Sequence, residues 1–308
     1  MTKCLVPLSE EQYQKTLENI GYSSETFQSH IEDFRKWALE QKQLPETKKD
    51  EPDSFYEVIL VGCKGNLDLS KQKLKAYYYS RTKYPILFNK KDPLDESIMN
   101  TADTILIATL PKPTPEGSRV TMMSANDTDP KKYDLLTGVL RLFLLIELRG
   151  REEGVFNKEW VIFDAQNITM GHIFRILMPS VVKNVLEYIQ TVLNARIKGI
   201  IVINAPRFIE KTINNFIKPL LKKKIAQRVF LYSEGKSALW DHFPQKILPK
   251  EYGGEEESLK NLSDMWLNKG KSEKEWLVKV LTEKIEERKD EKPKGSYFSS
   301  TLKFFSMD

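Results

Sequence analysis

The sequence predicts an α/β fold with a helical N-terminal domain, and two patterns support that prediction. Residues 1–92 place apolar side chains at three- and four-residue spacing, which is the pattern of amphipathic helices. After Pro93, short apolar runs such as WVIFD (160–164) and GIIVIN (199–204) alternate with segments of helical periodicity. Strands that alternate with helices form βαβ units, so we expect a mostly parallel sheet with helices packed on its faces.

The composition is that of a globular protein without a membrane-spanning helix. The 308 residues are 40% hydrophobic and 30% charged, which suits one large domain or two modest ones. No apolar run approaches the roughly 20 residues that a bilayer-spanning helix needs. The N-terminus, MTKCLVPLSEEQ, lacks the pattern of a secretory signal, so we expect a cytoplasmic protein.

Charge and cysteine content indicate neither a nucleic-acid partner nor a metal site. The net charge of +5, from 48 basic and 43 acidic residues, is small, and the chain has no zinc-finger spacing or RNA-binding signature. Cys4 and Cys63 are too few and too far apart for a disulfide framework or a zinc site. We expect them to be two reduced thiols.

The N-terminal domain is predicted from one helix cap, one turn and two apolar stripes. SEEQ (9–12) has the form of a capping box, in which the serine hydroxyl and the glutamine amide satisfy N–H groups at a helix start. GCKG (62–65) lies between two helical segments and predicts a turn. The stripes are Phe27, Ile31, Phe34, Ala38 and Leu39 in one helix, and Leu74, Tyr77, Tyr78 and Arg81 in another.

The second half predicts alternating strands and helices, followed by a charged helical extension from residue 255. The strands are expected at 104–110, 118–124, 160–164, 199–204 and 228–232, and the helices at about 132–149, 170–195 and 207–223. SEKE (272–275) has the form of a second capping box. The stripe behind it consists of Trp276, Leu277, Val280, Leu281 and Ile285. The terminal STLKFFSMD contains two phenylalanines, so we expect it to pack against the body.

The sequence contains no catalytic constellation. His30, His172 and His242 lie outside metal-ligand spacing, and no nucleophile elbow, P-loop or dinucleotide-binding glycine motif occurs. Asp164 ends a predicted strand, where ligands gather in open α/β sheets, but an aspartate there also commonly bonds the following turn. We favour that structural role and expect a protein that is not an enzyme and uses no metal or cofactor. An α/β enzyme using Asp164 is the alternative.

The segment GIIVINAPRFIEKTINNFIKPLLKKKIAQR (199–228) predicts a strand followed by an amphipathic helix. On a wheel of about 100° per residue, an apolar stripe lies opposite a basic one. The apolar stripe consists of Ile209, Ile213, Phe216, Ile217 and Leu220, and the basic stripe of Lys211, Lys218 and Lys222. Pro219 removes an interior hydrogen bond, and because this costs about 3 kcal/mol we expect a bend there.

Two interpretations of this helix remain open. It covers the sheet with its lysines in water, or it leaves the sheet to lie at a membrane surface, since opposed apolar and basic faces are typical of interfacial helices. Arg196 and Lys198 point the same way at the strand entry, and Lys224 and Arg228 share a side if the helix continues that far. These four cations favour the second interpretation, because together they suit a phosphorylated headgroup.

Several runs of the chain resemble the CRAL-TRIO lipid-transfer family. They are VIFDAQNIT, GIIVINAPRFI, IKPLLKKKIAQRV and SALWDHFPQKILPKEYGG (237–254), of which ILPKEYGG after HFP is the most specific. The resemblance is dense from about 155 to 254, fair from 104 and looser in the N-terminal helices. It is nearest to the branch of alpha-tocopherol transfer protein and cellular retinaldehyde-binding protein, in an insect-type form.

The resemblance implies three regions and a moving part. The regions are a helical N-terminal domain at 1–92, a lipid-binding α/β domain at 93–254 whose sheet encloses an apolar pocket, and a C-terminal helical extension at 255–308. It also implies that a mobile gate helix closes the pocket. The gate corresponds to 205–224 in this chain, with Pro219 as its hinge.

The resemblance also implies a phosphoinositide site beside the gate. The matching positions are held by Arg196, Lys198, Lys224 and Arg228. This chain departs from the family upstream, where Leu60, Val61 and Cys63 stand in place of arginines and only Lys64 is basic. We therefore expect the site to lack an N-terminal arginine.

The function expected from these features is that of a monomeric, non-enzymatic carrier. It would hold one hydrophobic small molecule, such as a retinoid, tocopherol or carotenoid, and exchange it at anionic membranes during transient association. The alternative is a phosphoinositide-binding adaptor with the same fold and no cargo transfer. The expected pocket lining is Leu140, Phe143, Leu144, Ile162, Phe174, Met178, Val182, Leu186, Ile203, Phe208, Ile213, Phe216 and Ile217.

Overall fold

The computed structural model describes residues 3–285 and begins with a helical region. This region contains α1 (Glu10–Glu18), α2 (Ser24–Glu40), α3 (Asp53–Gly62), α4 (Leu67–Lys83) and α5 (Glu96–Thr104). The predicted capping box forms at the start of α1, where Ser9 and Gln12 bond each other's backbone. GCKG forms the predicted turn, with Lys64 and Gly65 at positive φ. The run STLKFFSMD lies outside the described residues.

The two predicted stripes of the helical region face inward, apart from Leu39. The buried members are Phe27, Ile31, Phe34 and Ala38 of α2, and Leu74, Tyr77, Tyr78 and Arg81 of α4. Leu39 is 42% exposed. At about 100° per residue it lies about 120° around the helix from Phe27, so it falls off the buried stripe.

The second region is built on a five-stranded sheet whose strands lie side by side in chain order. They are β1 (Ile105–Thr109), β2 (Arg119–Ala125), β3 (Glu159–Asp164), β4 (Ile197–Ile203) and β5 (Val229–Leu231). β1 is antiparallel to β2, and the other neighbours are parallel. This confirms the predicted α/β fold with a mostly parallel sheet.

Three helices lie in the connections that flank β3. They are α6 (Leu135–Glu152) before it, and α7 (Met170–Ile176) and α8 (Pro179–Thr191) after it. The prediction of a single helix over 170–195 is wrong. Leu177 and Met178 leave the helical region, with ψ of 59° and 104°, because the residue before a proline disfavours the α conformation.

One face of the sheet, which we call the closed face, is covered by residues 237–252, which begin with α11 (Ser237–Trp240). Successive strand residues point to opposite faces, and Trp160 and Asp164 of β3 point to this one. The Trp160 ring lies 5.3 Å from that of Phe243. The Tyr252 hydroxyl donates to Asp164 Oδ2 over 2.8 Å. The opposite face, which carries residues 159, 161 and 163, is covered by α6, α7 and the segment after β4, and we call it the helical face.

Side chains of α12 (Leu259–Ser272) protect the free edge of β1. The Ile107 N–H donates to Ser263 Oγ over 3.1 Å, and Trp266 Nε1 donates to the Thr109 carbonyl over 2.9 Å. Unpaired edge groups are a template for pairing with another chain. Because α12 satisfies them, the sheet does not offer this edge to a further strand.

Arg81 connects the helical region to α6 and to α13 (Lys274–Thr282). Its buried guanidinium donates through Nε to the Val280 carbonyl over 3.1 Å, and Nη2 lies 3.6 Å from Glu147 Oε1. The Tyr77 hydroxyl donates to the same carboxylate over 2.8 Å. Since breaking a buried ion pair leaves a charge uncompensated, this contact holds the three parts together.

The C-terminal stripe packs inward as predicted, but its predicted cap does not form. Trp276, Leu277, Val280 and Leu281 are buried, and Ile285 packs partly buried against the core. Ser272 is the last residue of α12, and its hydroxyl donates to the Lys269 carbonyl. A capping box would require Ser272 to be the cap of α13, but Ser272 is still part of α12. SEKE is therefore not a capping box.

Glu51 is a buried carboxylate against α13. Its Oε1 accepts a hydrogen bond from Trp276 Nε1 over 3.3 Å, and its Oε2 has no partner within residues 3–285. Burial raises the pKa of Glu51 from 4.5 to about 7, although the bond from Trp276 opposes this shift. The folded state thus binds the proton more tightly than the unfolded chain, and stability is lost as pH rises from about 4.5 to about 7.

Glu51→Gln should raise the free energy of unfolding at pH 8 by on the order of 3 kcal/mol, because glutamine keeps the acceptor for Trp276 without a buried charge. The gain should nearly vanish at about pH 4. Urea unfolding at the two pH values measures it, with Glu40→Gln at the exposed end of α2 as control. A gain of equal size at both pH values would contradict the prediction.

Candidate binding cleft

The buried apolar residues form two separate clusters. The larger one joins the helical region, α6, α12, α13 and the closed face. The smaller one lies on the helical face at the carboxyl ends of the strands, where α7 and α9 (Arg207–Thr212) pack. It consists of Ala125, Ala165, Ile168, Ile173, Val202, Ala205 and Ile209.

Between the clusters, part of the helical face is not covered. Val161 and Ile200 pair across β3 and β4, and both are half-buried members of neither cluster. Their closed-face neighbours Ile162 and Ile201 are fully buried, at 0% exposure. Because β3 is the central strand of the five, partial exposure of Val161 means that the helices leave this strip of the sheet uncovered. We call the uncovered strip between the two clusters the cleft.

The wall of the cleft on the α6 side is aliphatic. Val139, Leu142 and Ile146 are half-buried and follow one another at helical spacing. They lie on the same side of α6 as Arg149, which bonds Glu159 on the helical face. An aliphatic lining of this kind suits an apolar molecule.

A buried ion pair fixes α6 at the amino end of the cleft. Arg149 Nη1 lies 2.6 Å from Glu159 Oε2, and the Thr121 hydroxyl donates to Glu159 Oε1 over 2.7 Å. Burial raises the pKa of Glu159, and the nearby Arg149 opposes the shift. Moving α6 over the uncovered floor would separate two buried charges at a cost of several kcal/mol, so the pair keeps the cleft open.

The structure distributes the predicted lining residues among three environments. Leu140, Phe143, Leu144, Ile162, Val182 and Ile203 are buried in the core. Leu186, Phe208, Ile213 and Ile217 are half-buried. Phe174, Met178 and Phe216 are exposed. Ile162 and Ile203 point to the closed face. The sequence does not show which way they point, because a strand buried on both sides is a continuous apolar run without alternation.

The segment predicted as one helix over 207–223 is irregular. α9 passes into a π turn (Ile213–Ile217) and a 3₁₀ turn (Lys218–Leu220), and Leu221 is extended with ψ of 148°. Pro219 lies in the first turn of the 3₁₀ segment instead of bending a continuous helix. Proline is tolerated there because its missing N–H has no bond to make.

The π turn also changes which side chains face water. Its i→i+5 bonds rotate every later residue relative to an α-helix, so the wheel fails beyond Ile213. Lys211 is exposed as predicted, but Lys218 and Lys222 are half-buried. Phe216 and Leu220 face water instead, at 58% and 45% exposure.

Four exposed apolar side chains lie on the two elements that pack over the smaller cluster. Phe174 is 76% and Met178 is 41% exposed, on and just after α7. Phe216 and Leu220 follow α9, and α7 and α9 pack together. We call these four residues the apolar rim. Large exposed apolar side chains gathered on neighbouring elements indicate a contact surface.

Gln190 of α8 holds the backbone at the end of the irregular segment 207–222. Its Nε2 donates to the Leu220 carbonyl over 3.2 Å, and its Oε1 accepts from the Lys222 N–H over 2.6 Å. Both ends of one amide therefore bond the backbone on either side of Leu221. The 3₁₀ turn (Lys218–Leu220) therefore ends in contact with α8.

Gln190→Ala should raise amide exchange rates in residues 216–223 by about ten-fold, because two hydrogen bonds to that backbone are lost. Residues 207–212 should keep their protection, since Ile209 remains buried. Hydrogen exchange with mass spectrometry measures both. The control is Asn184→Ala on the same helix, whose amide bonds only the Ser180 carbonyl. Equal rates in the two variants would contradict the prediction.

Three of the four predicted phosphate-binding cations lie together. Arg196, Lys198 and Arg228 stand at the starts of β4 and β5, and Arg228 Nη1 donates to the Ile197 carbonyl between the first two. Burial and the neighbouring Arg228 lower the pKa of Arg196. Lys224 is exposed on α10 (Lys223–Ala226).

Lys158, which no sequence motif singled out, also belongs to this group. Lys158 directly precedes β3, and the adjacent Glu159 N–H donates to the Arg196 carbonyl over 2.9 Å. The starts of neighbouring parallel strands share one edge of a sheet, so a lysine two residues before WVIFD could have been placed there.

Asp164 and His172 have structural roles. Asp164 Oδ1 accepts from the Gln166 N–H over 3.0 Å and from Asn204 Nδ2 over 2.7 Å, which confirms the predicted bond to the following turn. His172 Nδ1 accepts from the Thr169 N–H at the start of α7. Among residues 3–285, no group of three His, Cys, Asp or Glu side chains is arranged to hold a metal ion. Within the same residues, no helix has the length and apolar character needed to cross a membrane.

Comparisons with known proteins place both regions of the chain. Residues 104–254 match the family model described as CRAL/TRIO domain, and residues 23–98 match the model described as Pinta-like, UBA domain. The human protein named alpha-tocopherol transfer protein-like is 30% identical over 214 residues, which are 69% of this chain and 61% of that protein. This chain thus spans less than two thirds of the length of that relative.

Two further likenesses have lower identity. Human clavesin-2 is 24% identical over 255 residues, covering 82% of this chain and 77% of clavesin-2. The crystal structure of Sfh5 superposes with a TM-score of 0.46 at 12% identity, over 87% of this chain and all of that one. With the sheet order and the matched family model, residues 104–254 of this chain belong to the CRAL-TRIO family.

Proposed function

We propose that this protein is a carrier that binds one hydrophobic small molecule in the cleft and exchanges it at membranes. The observation that carries the proposal is the half-exposed pair Val161 and Ile200 at the centre of the sheet, between two separately packed cores. An apolar floor left uncovered is stabilised by a ligand that removes it from water. The name of the human relative, alpha-tocopherol transfer protein-like, refers to the transfer of such a molecule.

The cleft geometry changes the proposed lining from the predicted one. Val161 and Ile200 replace Ile162 and Ile203 as the floor, because they point to the helical face. Val139, Leu142 and Ile146 supply the α6 wall in place of Leu140, Phe143 and Leu144. We propose the half-buried Leu186, Ile213 and Ile217 as further lining residues, and Phe174, Met178 and Phe216 belong to the apolar rim.

The size of the hydrophobic effect explains why such a carrier must work at a membrane. Burying a lipid of around 20 carbons at about 0.8 kcal/mol per methylene amounts to on the order of 15 kcal/mol. Release into water at that cost would be extremely slow. We propose that the apolar rim enters the bilayer interface, so that the gate segment at 205–224 opens into lipid and the ligand never crosses water. The carrier is a cytoplasmic monomer in this proposal, with transient membrane association.

Val161→Trp should abolish cargo binding, because the indole occupies the floor of the cleft, where the half-buried valine leaves room. Purified wild type extracted with organic solvent should release an apolar molecule near one equivalent, seen by mass spectrometry. We expect the variant to release on the order of a tenth of that amount.

The control for Val161→Trp is Leu39→Trp, at an exposed site on α2. Both variants should unfold within a few degrees of the wild type, which separates loss of cargo from loss of the fold. An empty extract from wild type, or equal cargo in wild type and Val161→Trp, would count against a carrier that uses this cleft.

Phe216→Ser combined with Leu220→Ser should weaken vesicle association by about ten-fold or more, because two rim side chains no longer enter the interface. Stability should be unchanged, since both side chains face water. Co-sedimentation with anionic vesicles measures binding, and Leu39→Ser is the control for an exposed leucine elsewhere. Wild-type binding by the double variant would show that the rim does not contact the membrane.

The alternative function is a phosphoinositide-reading adaptor with no cargo. The observation that favours it is the cluster of Arg196, Lys198 and Arg228 at one edge of the sheet, which is independent of the cleft. The extraction experiment separates the two functions. An empty extract together with tight binding to phosphatidylinositol bisphosphate supports the adaptor, and a stoichiometric apolar ligand supports the carrier.

A further inference from the structure

A small cavity lies on the side of α6 that faces away from the cleft. It has a volume of about 30 Å³ and is lined by side chains of α5, α6, α12 and α13, with Ile107 of β1 beside them. At about 100° per residue, its lining residues on α6 share one stripe, roughly opposite the aliphatic wall of the cleft. They are Arg141, Leu144, Leu145 and Leu148. The cavity is therefore separate from the proposed cargo site.

Arg141 brings a buried positive charge to this cavity. The residue is 6% exposed, and its guanidinium donates to the Ile105 carbonyl over 2.7 Å and to Ser263 Oγ over 2.6 Å. Asp264 and Asp103 act on the charge at longer range, and no carboxylate among residues 3–285 forms an ion pair with it. Burial lowers the pKa of Arg141 to about 10, although the two aspartates oppose the shift. A buried charge without a counterion is unfavourable for the fold.

Hydrogen-bond donors outnumber acceptors around the cavity. A guanidinium has five N–H donors, and within the described residues Arg141 has only three acceptors, including Thr101 Oγ1 over 3.5 Å. Ser263 Oγ accepts from Arg141 and from the Ile107 N–H, so both of its lone pairs are used. Its own proton has no acceptor within those residues. The other lining side chains are those of Leu, Ile, Pro and Trp, which carry no acceptor.

We propose that this cavity binds one small monovalent anion of the size of chloride, held by the Arg141 guanidinium and the Ser263 hydroxyl. A water molecule supplies acceptors for the unused donors, but an anion supplies both the acceptors and the missing negative charge. The cavity has room for on the order of two water molecules, which suffices for such an ion and is too little for a lipid.

The anion connects three elements behind the wall of the cleft. Arg141 belongs to α6 and bonds the backbone of β1 at Ile105, whereas Ser263 belongs to α12 and bonds β1 at Ile107. An ion between Arg141 and Ser263 therefore fixes α6 against α12 and the edge strand. The unfolded chain does not bring these donors together, so the anion stabilises only the folded state.

Thermal unfolding of the full chain in chloride and in gluconate tests the site, because gluconate has the same charge and is too large for the cavity. At about 0.15 M salt, chloride should raise the unfolding midpoint by about 3 °C relative to gluconate. Arg141→Met should abolish this difference, which is measured within each variant and so does not depend on the variant's own stability. The control is Arg35→Met on the surface of α2, which should keep the difference.

Two further measurements make the test independent of how well Arg141→Met folds. Ser263→Ala keeps the guanidinium and removes one donor, so it should lose about half of the chloride effect. A crystal of the wild type grown in bromide should show an anomalous peak within hydrogen-bond distance of Arg141 and Ser263.

The proposal is overturned if the wild type unfolds at the same temperature in chloride and gluconate, or if Arg141→Met keeps the wild-type difference. It is also overturned if the bromide crystal shows only water beside Arg141. None of these results bears on the carrier proposal, because the extraction of cargo tests the opposite side of α6.

Discussion

The cleft depends on the buried ion pair between Arg149 and Glu159. Apolar cores close spontaneously, since every uncovered methylene costs about 0.8 kcal/mol in water. To close the cleft, α6 would have to move over the sheet. That movement would disturb the buried pair of Arg149 and Glu159, whose charged atoms lie 2.6 Å apart, and the bond from Thr121 to Glu159. The pair thus holds α6 at one end of the helical face, and the smaller cluster forms independently at the other end. We attribute the uncovered space between the two to the ion pair of Arg149 and Glu159 at its edge.

The N-terminal helices stabilise the same arrangement from outside. Buried Lys73 of α4 donates from Nζ to the Thr191 carbonyl over 2.6 Å at the end of α8, and its pKa is lowered to about 8 by burial. Gln190, the neighbour of Thr191, bonds the backbone on both sides of Leu221. The chain of contacts runs from the helical region through α8 to the end of the 3₁₀ turn at Leu220. The N-terminal region therefore helps to hold the segment that follows β4.

Sequence patterns predicted well where helices and strands occur. They predicted poorly the local conformation within some helices and the direction in which side chains point. The five strands and the α2 and α4 stripes appeared where apolar spacing placed them, because burial of one face is a local requirement. The predictions for SEKE (272–275) and for the segment around Pro219 were wrong, because in both places neighbouring residues favour a different local conformation. Ser272 was already used inside α12. The π turn at Ile213–Ile217 changed the facing of every residue after it, which no fixed wheel anticipates.

The sequence by itself determined the fold class, the alternation of strands and helices and the presence of basic residues near the gate segment, since these follow from composition and period. The tertiary structure alone decided which side of each strand lines the cleft. In the structure, Val161 and Ile200 lie at the floor of the cleft, whereas Ile162 and Ile203 are buried on the closed face. The physical reason is that an all-apolar strand carries no alternation to read, so its facing is set by what packs above and below it. Lys158, distant in sequence from Arg196 and Arg228, likewise lies near them only because parallel strands begin at one edge.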